Sequence, residues 1–166
     1  MSNPVPYETA IDLLDADHKA VEQLFIEYAA LAGDAGPAAV RQTVAEKICQ
    51  ALIVHAQIEE EIFYPAVRKA TEDESLLDEA LAEHAQAKKL IAAIQGMKAT
   101  SDNYDATVQR LADAIDEHVL EEREQIFMEA QQAPLDLRGL AVRLYKRKKE
   151  LTAAAAKTPR TAKEKA

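Results

Sequence analysis

Apolar residues recur at intervals of three and four along most of this 166-residue chain. The first stretch carries Ile11, Leu14, Val21, Phe25 and Tyr28, and the second Val44, Ile48, Leu52, Ile58 and Ile62. The third carries Leu77, Leu81, Ile91 and Ile94, and the fourth Leu111, Ile115, Val119 and Ile126. That spacing follows the turn of an α-helix, so each stretch is predicted to be an amphipathic helix burying one stripe. The chain breakers fall between the stretches. Pro4 and Pro6 precede the first, Gly33 to Pro37 form a turn before the second, and Pro134 follows the fourth. Helices are therefore expected at about 9–32, 37–69, 74–97 and 103–132, with Pro37 suited to the first position of its helix. Pro65 is expected to kink the second helix or end it early, because proline cannot donate to the helical ladder. Four such helices joined by short turns imply an all-α, antiparallel up-down-up-down four-helix bundle over residues 8–132. A weaker fifth helix at about 136–151 would form a short C-terminal extension over 133–152.

Composition agrees with this reading and narrows the partners. Four Gly, no Trp and 5% aromatics leave few strand formers or turn residues. The net charge of −9 opposes a general grip on nucleic acid. That charge is uneven. Residues 146–166 hold eight basic and two acidic side chains, a local +6, which leaves −15 for residues 1–145. Residues 153–166 are expected to be a disordered basic tail, at most in weak contact with nucleic acid. The single Cys49 excludes an internal disulfide framework. The opening residues resemble no secretory signal, and no apolar run is long enough for a membrane span. A cytoplasmic protein is the expectation.

The histidines carry the chemistry. Each predicted helix holds one, namely His18, His55, His84 and His118, and each lies within the apolar stripe. A buried imidazole must satisfy two ring nitrogens, so four of them in one core require partners. Two bring a carboxylate four residues on: His55 with Glu59, and His118 with Glu122. Residues four apart lie on one helix face, and Glu59 stands inside the stripe between Ile58 and Ile62. Glu60, Glu61, Glu121 and Glu124 are read as solvated, and Glu22 as a group that supports the site from outside or lies on the surface. Counting residues from each turn places the four imidazoles within ~2–8 Å of one level. Four nitrogens and two carboxylates in a low-dielectric core suit iron, zinc or manganese better than calcium or magnesium. Six ligands exceed the needs of one catalytic zinc and match a pair of ions. His-Glu-x-x-His is absent, as is any glutamate three residues before a histidine. These absences exclude a zincin protease and the ferritin-like ligand pattern. Buried structural histidines in a metal-free helical interaction module are the alternative. Tyr28 and Tyr64 could serve as redox or proton groups, although core packing accounts for either.

Ala10–His18 with its Asp17-His18 end, the run from His55 through Glu59-Glu60-Glu61-Ile62-Phe63-Tyr64-Pro65, Glu83-His84, and His118 with Glu122 resemble the hemerythrin HHE cation-binding domain. The resemblance implies a four-helix bundle holding two iron ions, oxo- or hydroxo-bridged, on His18, His55, Glu59, His84, His118 and Glu122. It is similar to the bacterial hemerythrin-like pattern H, HxxxE, H, HxxxE. Oxygen-carrying hemerythrins have a further histidine one turn before the third-helix ligand, where this chain has Ala80, and that departure implies an iron position open to water, peroxide or another side chain. The implied function is binding or sensing of O2, NO, peroxide or iron, with a redox enzyme such as a peroxide-decomposing one as the alternative.

Overall fold

The computed structural model describes residues 4–72 and 74–157. Helix α1, Ala10–Gly33, opens on a capping box. Thr9 Oγ1 accepts from the Asp12 backbone N–H at 3.2 Å, and Asp12 Oδ2 accepts from the Thr9 backbone N–H at 3.1 Å. This reciprocal pair satisfies donors that the first helical turn leaves free. Pro37 stands at the cap, one position ahead of α2, Ala38–Ile58. The second rod continues through a π-helical turn, π1, Glu59–Phe63, into α3, Tyr64–Thr71. Helix α4 spans Glu74–Gly96. The fourth rod joins α5, Tyr104–Glu121, a second π turn, π2, Glu122–Ile126, and α6, Phe127–Gln132.

These four rods form the expected bundle. The first rod packs against the second, the third against the fourth, and the square closes through α2 with α4 and α1 with α5. The fifth helix, α7, Leu137–Lys157, lies against α1 and α2. It runs on through Ala153–Lys157, a stretch assigned from sequence to the tail; residues 158–166 lie outside the described residues. Among the described residues, no helix is long and apolar enough to cross a membrane.

Pro65 does not end its helix. The Tyr64 backbone N–H bonds back five residues to the Glu59 carbonyl, and helical geometry then carries on to Thr71. The widened turn places a residue that lacks an N–H where the ladder is already interrupted. The second π turn repeats the pattern without a proline, with the Phe127 N–H on the Glu122 carbonyl.

The core has two apolar clusters. One gathers Val21, Phe25, Ile48, Ile91 and Leu111, and the other Leu14, Ile58, Phe63, Leu77, Phe127 and Leu144. Each fully buried aliphatic or aromatic side chain contributes about 1.5–3 kcal/mol to folding. Between the two clusters in sequence order along each rod stand the histidines. This polar layer is therefore held from both ends by well-packed apolar structure.

Candidate metal centre

All six sequence-predicted residues converge. His18, His55, His84 and His118 are 5–6% exposed, Glu59 is 0% and Glu122 is 1%. They form two donor clusters. His18, His55, Glu59 and Glu122 make one, and Glu59, His84 and His118 the other, with Glu59 common to both. His18 Nε2 lies 3.1 Å from His55 Nε2, and His84 Nε2 lies 3.3 Å from His118 Nε2. Glu59 Oε1 spans the clusters, 3.0 Å from His55 Nε2 and 3.4 Å from His84 Nε2. Glu122 spans them as well, with Oε1 3.1 Å from His18 Nε2 and Oε2 3.5 Å from His118 Nε2.

The outward nitrogens fix what the inward ones offer. Asp17 Oδ2 lies 2.9 Å from His55 Nδ1, Glu60 Oε2 3.1 Å from His84 Nδ1, and Glu83 Oε1 2.9 Å from His118 Nδ1. A carboxylate accepts, so in each ring Nδ1 carries the proton and donates. In the neutral ring Nε2 is then left with a lone pair facing inward. His84 and His118 then bring two such lone pairs 3.3 Å apart, which repel unless a proton or metal ion lies between them. Donors at that separation subtend about a right angle at an ion ~2.1 Å from each. Both oxygens of Glu59 and Oε1 of Glu122 are buried without a hydrogen-bond partner. Unsatisfied carboxylate oxygens at such depth are costly, and a bound cation removes that cost. The donor set therefore fits metal binding.

Electrostatics within the metal-free cluster point the same way. Burial pushes the His118 pKa down, yet Glu122, Glu59 and Glu83 outweigh it and raise it to about 9. Burial likewise opposes charge on His55, while Glu59 and Asp17 hold its pKa well above the ordinary imidazole value. Burial would raise the Glu122 pKa, but His118 and His18 hold it well below the usual carboxylate range. Asp17 is also held low, against its burial, by His55 and by Lys148 of α7, which donates to its Oδ1. The site is a nest of carboxylates that draws positive charge, from protons when no metal is present.

The layout has an approximate two-fold repeat. His55, Glu59 and Tyr64 of the second rod correspond to His118, Glu122 and Phe127 of the fourth, each set straddling a π turn. His18 preceded by Asp17 corresponds to His84 preceded by Glu83. The repeat breaks at Tyr64. Its hydroxyl donates to Glu122 Oε2 at 2.5 Å and lies 3.3 Å from His84 Nε2, while Phe127 stacks on His18 with centroids 5.8 Å apart. Burial, then Glu59 and Glu122, hold the Tyr64 pKa well above the phenol value, so the hydroxyl keeps its proton. The half of the centre containing His84 thus has a phenol oxygen at hand, on the side that Ala80 was expected to leave open.

Glu60 is the main revision to the sequence reading. It is not simply solvated. Its carboxylate holds His84 and accepts from Lys88 Nζ at 2.8 Å. Glu61 pairs with Arg147, and the neighbouring Glu83 holds the Glu121 carboxyl above the usual carboxylate range. Asp17 and Glu83 were missed as supporting groups. Their signal was an acidic residue immediately before the first- and third-helix histidines. A largely apolar cleft reaches the centre, and its walls include Val21, Leu52, Ile91, Ile115 and Val119 with the four imidazoles, beside Asp17 and Lys88.

Comparison with known proteins agrees with this geometry. The profile of the hemerythrin HHE cation binding domain matches residues 9–130. The crystal structure of a hemerythrin HHE cation binding domain-containing protein, the Rv2633c homolog from Mycobacterium kansasii, superposes with a TM-score of 0.77 over 93% of each chain. At 19% identity that likeness concerns the fold alone. A DNA nickase from Nostoc sp. (strain PCC 7120 / SAG 25.82 / UTEX 2576) is 29% identical over 116 residues, 70% of this chain. The matched stretch is 32% of the nickase, so this chain corresponds to about a third of that relative's length.

Proposed function

This chain belongs to the hemerythrin HHE cation-binding domain family, and from that premise we propose that it holds two non-haem iron ions, oxo- or hydroxo-bridged, and binds or senses an oxygen species. The ligands are His18, His55, Glu59, His84, His118 and Glu122. The small-molecule partner is O2, NO or peroxide. The observation that carries this reading is the pair of donor clusters sharing Glu59 on an apolar cleft. A cleft with apolar walls admits small neutral molecules and disfavours charged substrates. When bound, the iron pair supplies redox chemistry and coordination positions for such a molecule.

The chain's own residues do the rest. Asp17, Glu60 and Glu83 hold His55, His84 and His118 in the tautomer that presents Nε2 inward. Glu59 and Glu122 each reach both halves and so set their spacing. Val21, Leu52 and Ile91 restrict water around the cleft. Tyr64 holds a proton at its hydroxyl within hydrogen-bond reach of Glu122.

That phenolic proton favours a second reading, peroxide decomposition, in which a proton must be delivered at the centre. The Nostoc likeness supports no proposal of DNA nicking, since a chain of net charge −9 opposes a general grip on DNA. Metal analysis with an optical spectrum tests the leading reading. About two irons per chain and near-ultraviolet oxo-to-iron absorption are expected. Metal content near zero in a fully helical protein would overturn it in favour of a metal-free interaction module. Peroxide turnover by the iron-loaded protein would favour the enzyme, and a stoichiometric spectral change without turnover the sensor.

A further inference from the structure

A second recess reaches the same centre between α4 and the α5–π2 rod, and its character is opposite to that of the apolar cleft. Four carboxylates line it, Glu79, Glu83, Glu121 and Glu122, with His118 at the inner end, and no lysine or arginine does. They are graded in depth. Glu79 is exposed, Glu83 and Glu121 are half-buried, and Glu122 is 1% exposed at the inner end beside His118. Glu83 and Glu121 both line the recess midway. At the inner end Glu122 keeps a buried oxygen, Oε1, that has no hydrogen-bond partner.

We propose that this recess is the route by which a divalent metal ion reaches the buried centre, an inference that rests on the six-ligand reading above. A hydrated dication is repelled by apolar walls and loses its water only where oxygen donors replace it. The apolar cleft offers one carboxylate, Asp17, whose oxygens are already engaged by His55 and Lys148. The acidic recess offers a carboxylate at each depth, so an ion captured at Glu79 exchanges water for Glu121 and Glu83 and then for Glu122. A low-dielectric recess in which carboxylates predominate also raises the local concentration of counter-ions. The two approaches thus divide the traffic. Cations come through α4 and α5–π2, and the small neutral ligand comes through the cleft.

The test follows Co(II) uptake by the metal-free full-length chain in stopped flow, read from the visible absorption of the bound ion. Glu79→Gln combined with Glu121→Gln is compared with wild type. A control pair, Glu117→Gln with Glu124→Gln, removes the same charge from positions outside the recess. Glu83 is left intact because it holds His118. The recess pair is expected to take up Co(II) about tenfold more slowly at low ionic strength, with the gap closing as salt is raised. Its final Co(II) content and spectrum should equal those of wild type, and the control pair should load at the wild-type rate. Glu79→Asp with Glu121→Asp should recover most of the rate. Uptake by the recess pair at the control's rate overturns the route, as does an altered final spectrum, which would mark these residues as part of the coordination itself. A wild-type chain that takes up no Co(II) at all would instead overturn the metal-centre reading on which the route depends.

Discussion

Asp17 and His55 are joined across the α1–α2 interface, with Asp17 Oδ2 2.9 Å from His55 Nδ1. Both side chains are buried, and the proton between them decides which nitrogen of His55 faces the centre. Glu83 holds His118 at the same distance. Losing such a partner leaves the ring free to rotate or change tautomer, which typically weakens a metal site 10–100-fold. Asp17→Ala and Glu83→Ala are therefore each expected to lower metal affinity about 10–100-fold, measured by chelator competition. Affinity equal to wild type in both would remove the orienting role.

Three consecutive glutamates allow a graded test on one turn. Glu59 lies between the two donor clusters, Glu60 holds His84 from outside, and Glu61 pairs with Arg147 on the surface. Glu59→Ala is expected to abolish retention of the ion pair. Glu60→Ala should weaken it about 10–100-fold, and Glu61→Ala should leave it unchanged. Metal content after gel filtration gives the order. An order in which Glu61 matters as much as Glu59 would contradict the facial placement.

The bundle was legible because its information is periodic. Stripes of Leu, Ile and Val at three and four name the helices, and the level of the four histidines follows from counting back to each turn. Glu59 and Glu122 were legible because a carboxylate inside an apolar stripe needs a reason. The π turns were not, since a single widened turn leaves no periodic trace and hides behind Pro65 in the second rod. Nor was Glu60. On a straight α-helix its direction differs from that of Glu59 by about 100°, which suggests solvent. Only the packing of α4 alongside places His84 and Lys88 where that carboxylate reaches them. Supporting contacts between helices depend on which rods are neighbours and how they are rotated. Such information lies in no single stretch of sequence.

Metal and protons compete for the same cluster, and this gives a pH dependence with a definite sign. In the metal-free protein the His118 pKa is raised to about 9, so its contribution to stability is fully present below about 6.5 and is lost as pH rises through about 9. Metal binding needs the neutral ring and so improves over that same interval, by about tenfold per pH unit for one displaced proton. The gap in Tm between metal-loaded and metal-free protein should therefore widen from pH 6.5 to pH 9. Thermal melts of both forms across that interval check it. A gap that narrows would mean that His118 does not bind the metal.

Lys148 extends the centre into α7, a helix that charge arithmetic alone assigns to a basic extension. Its ammonium donates to Asp17 Oδ1, and Asp17 in turn holds His55, so three helices meet along one line of contacts. The neighbouring Arg147 bonds Glu61 at 2.7 Å and ties α7 to π1 without touching the donor clusters. Two adjacent cations on one helix thus make different predictions. Lys148→Met leaves Asp17 with His55 alone, a weaker anchor than the native pair of contacts but stronger than none. Metal affinity should fall by a few-fold, less than for Asp17→Ala, and Lys148→Arg should restore most of it because a guanidinium also donates to a carboxylate. Arg147→Met should lower thermal stability slightly and leave metal affinity unchanged, since its partner Glu61 is exposed and such pairs contribute little. Equal losses of metal affinity in the two variants would mean that α7 acts only as a packed lid over α1 and α2, and that Lys148 plays no part in orienting His55.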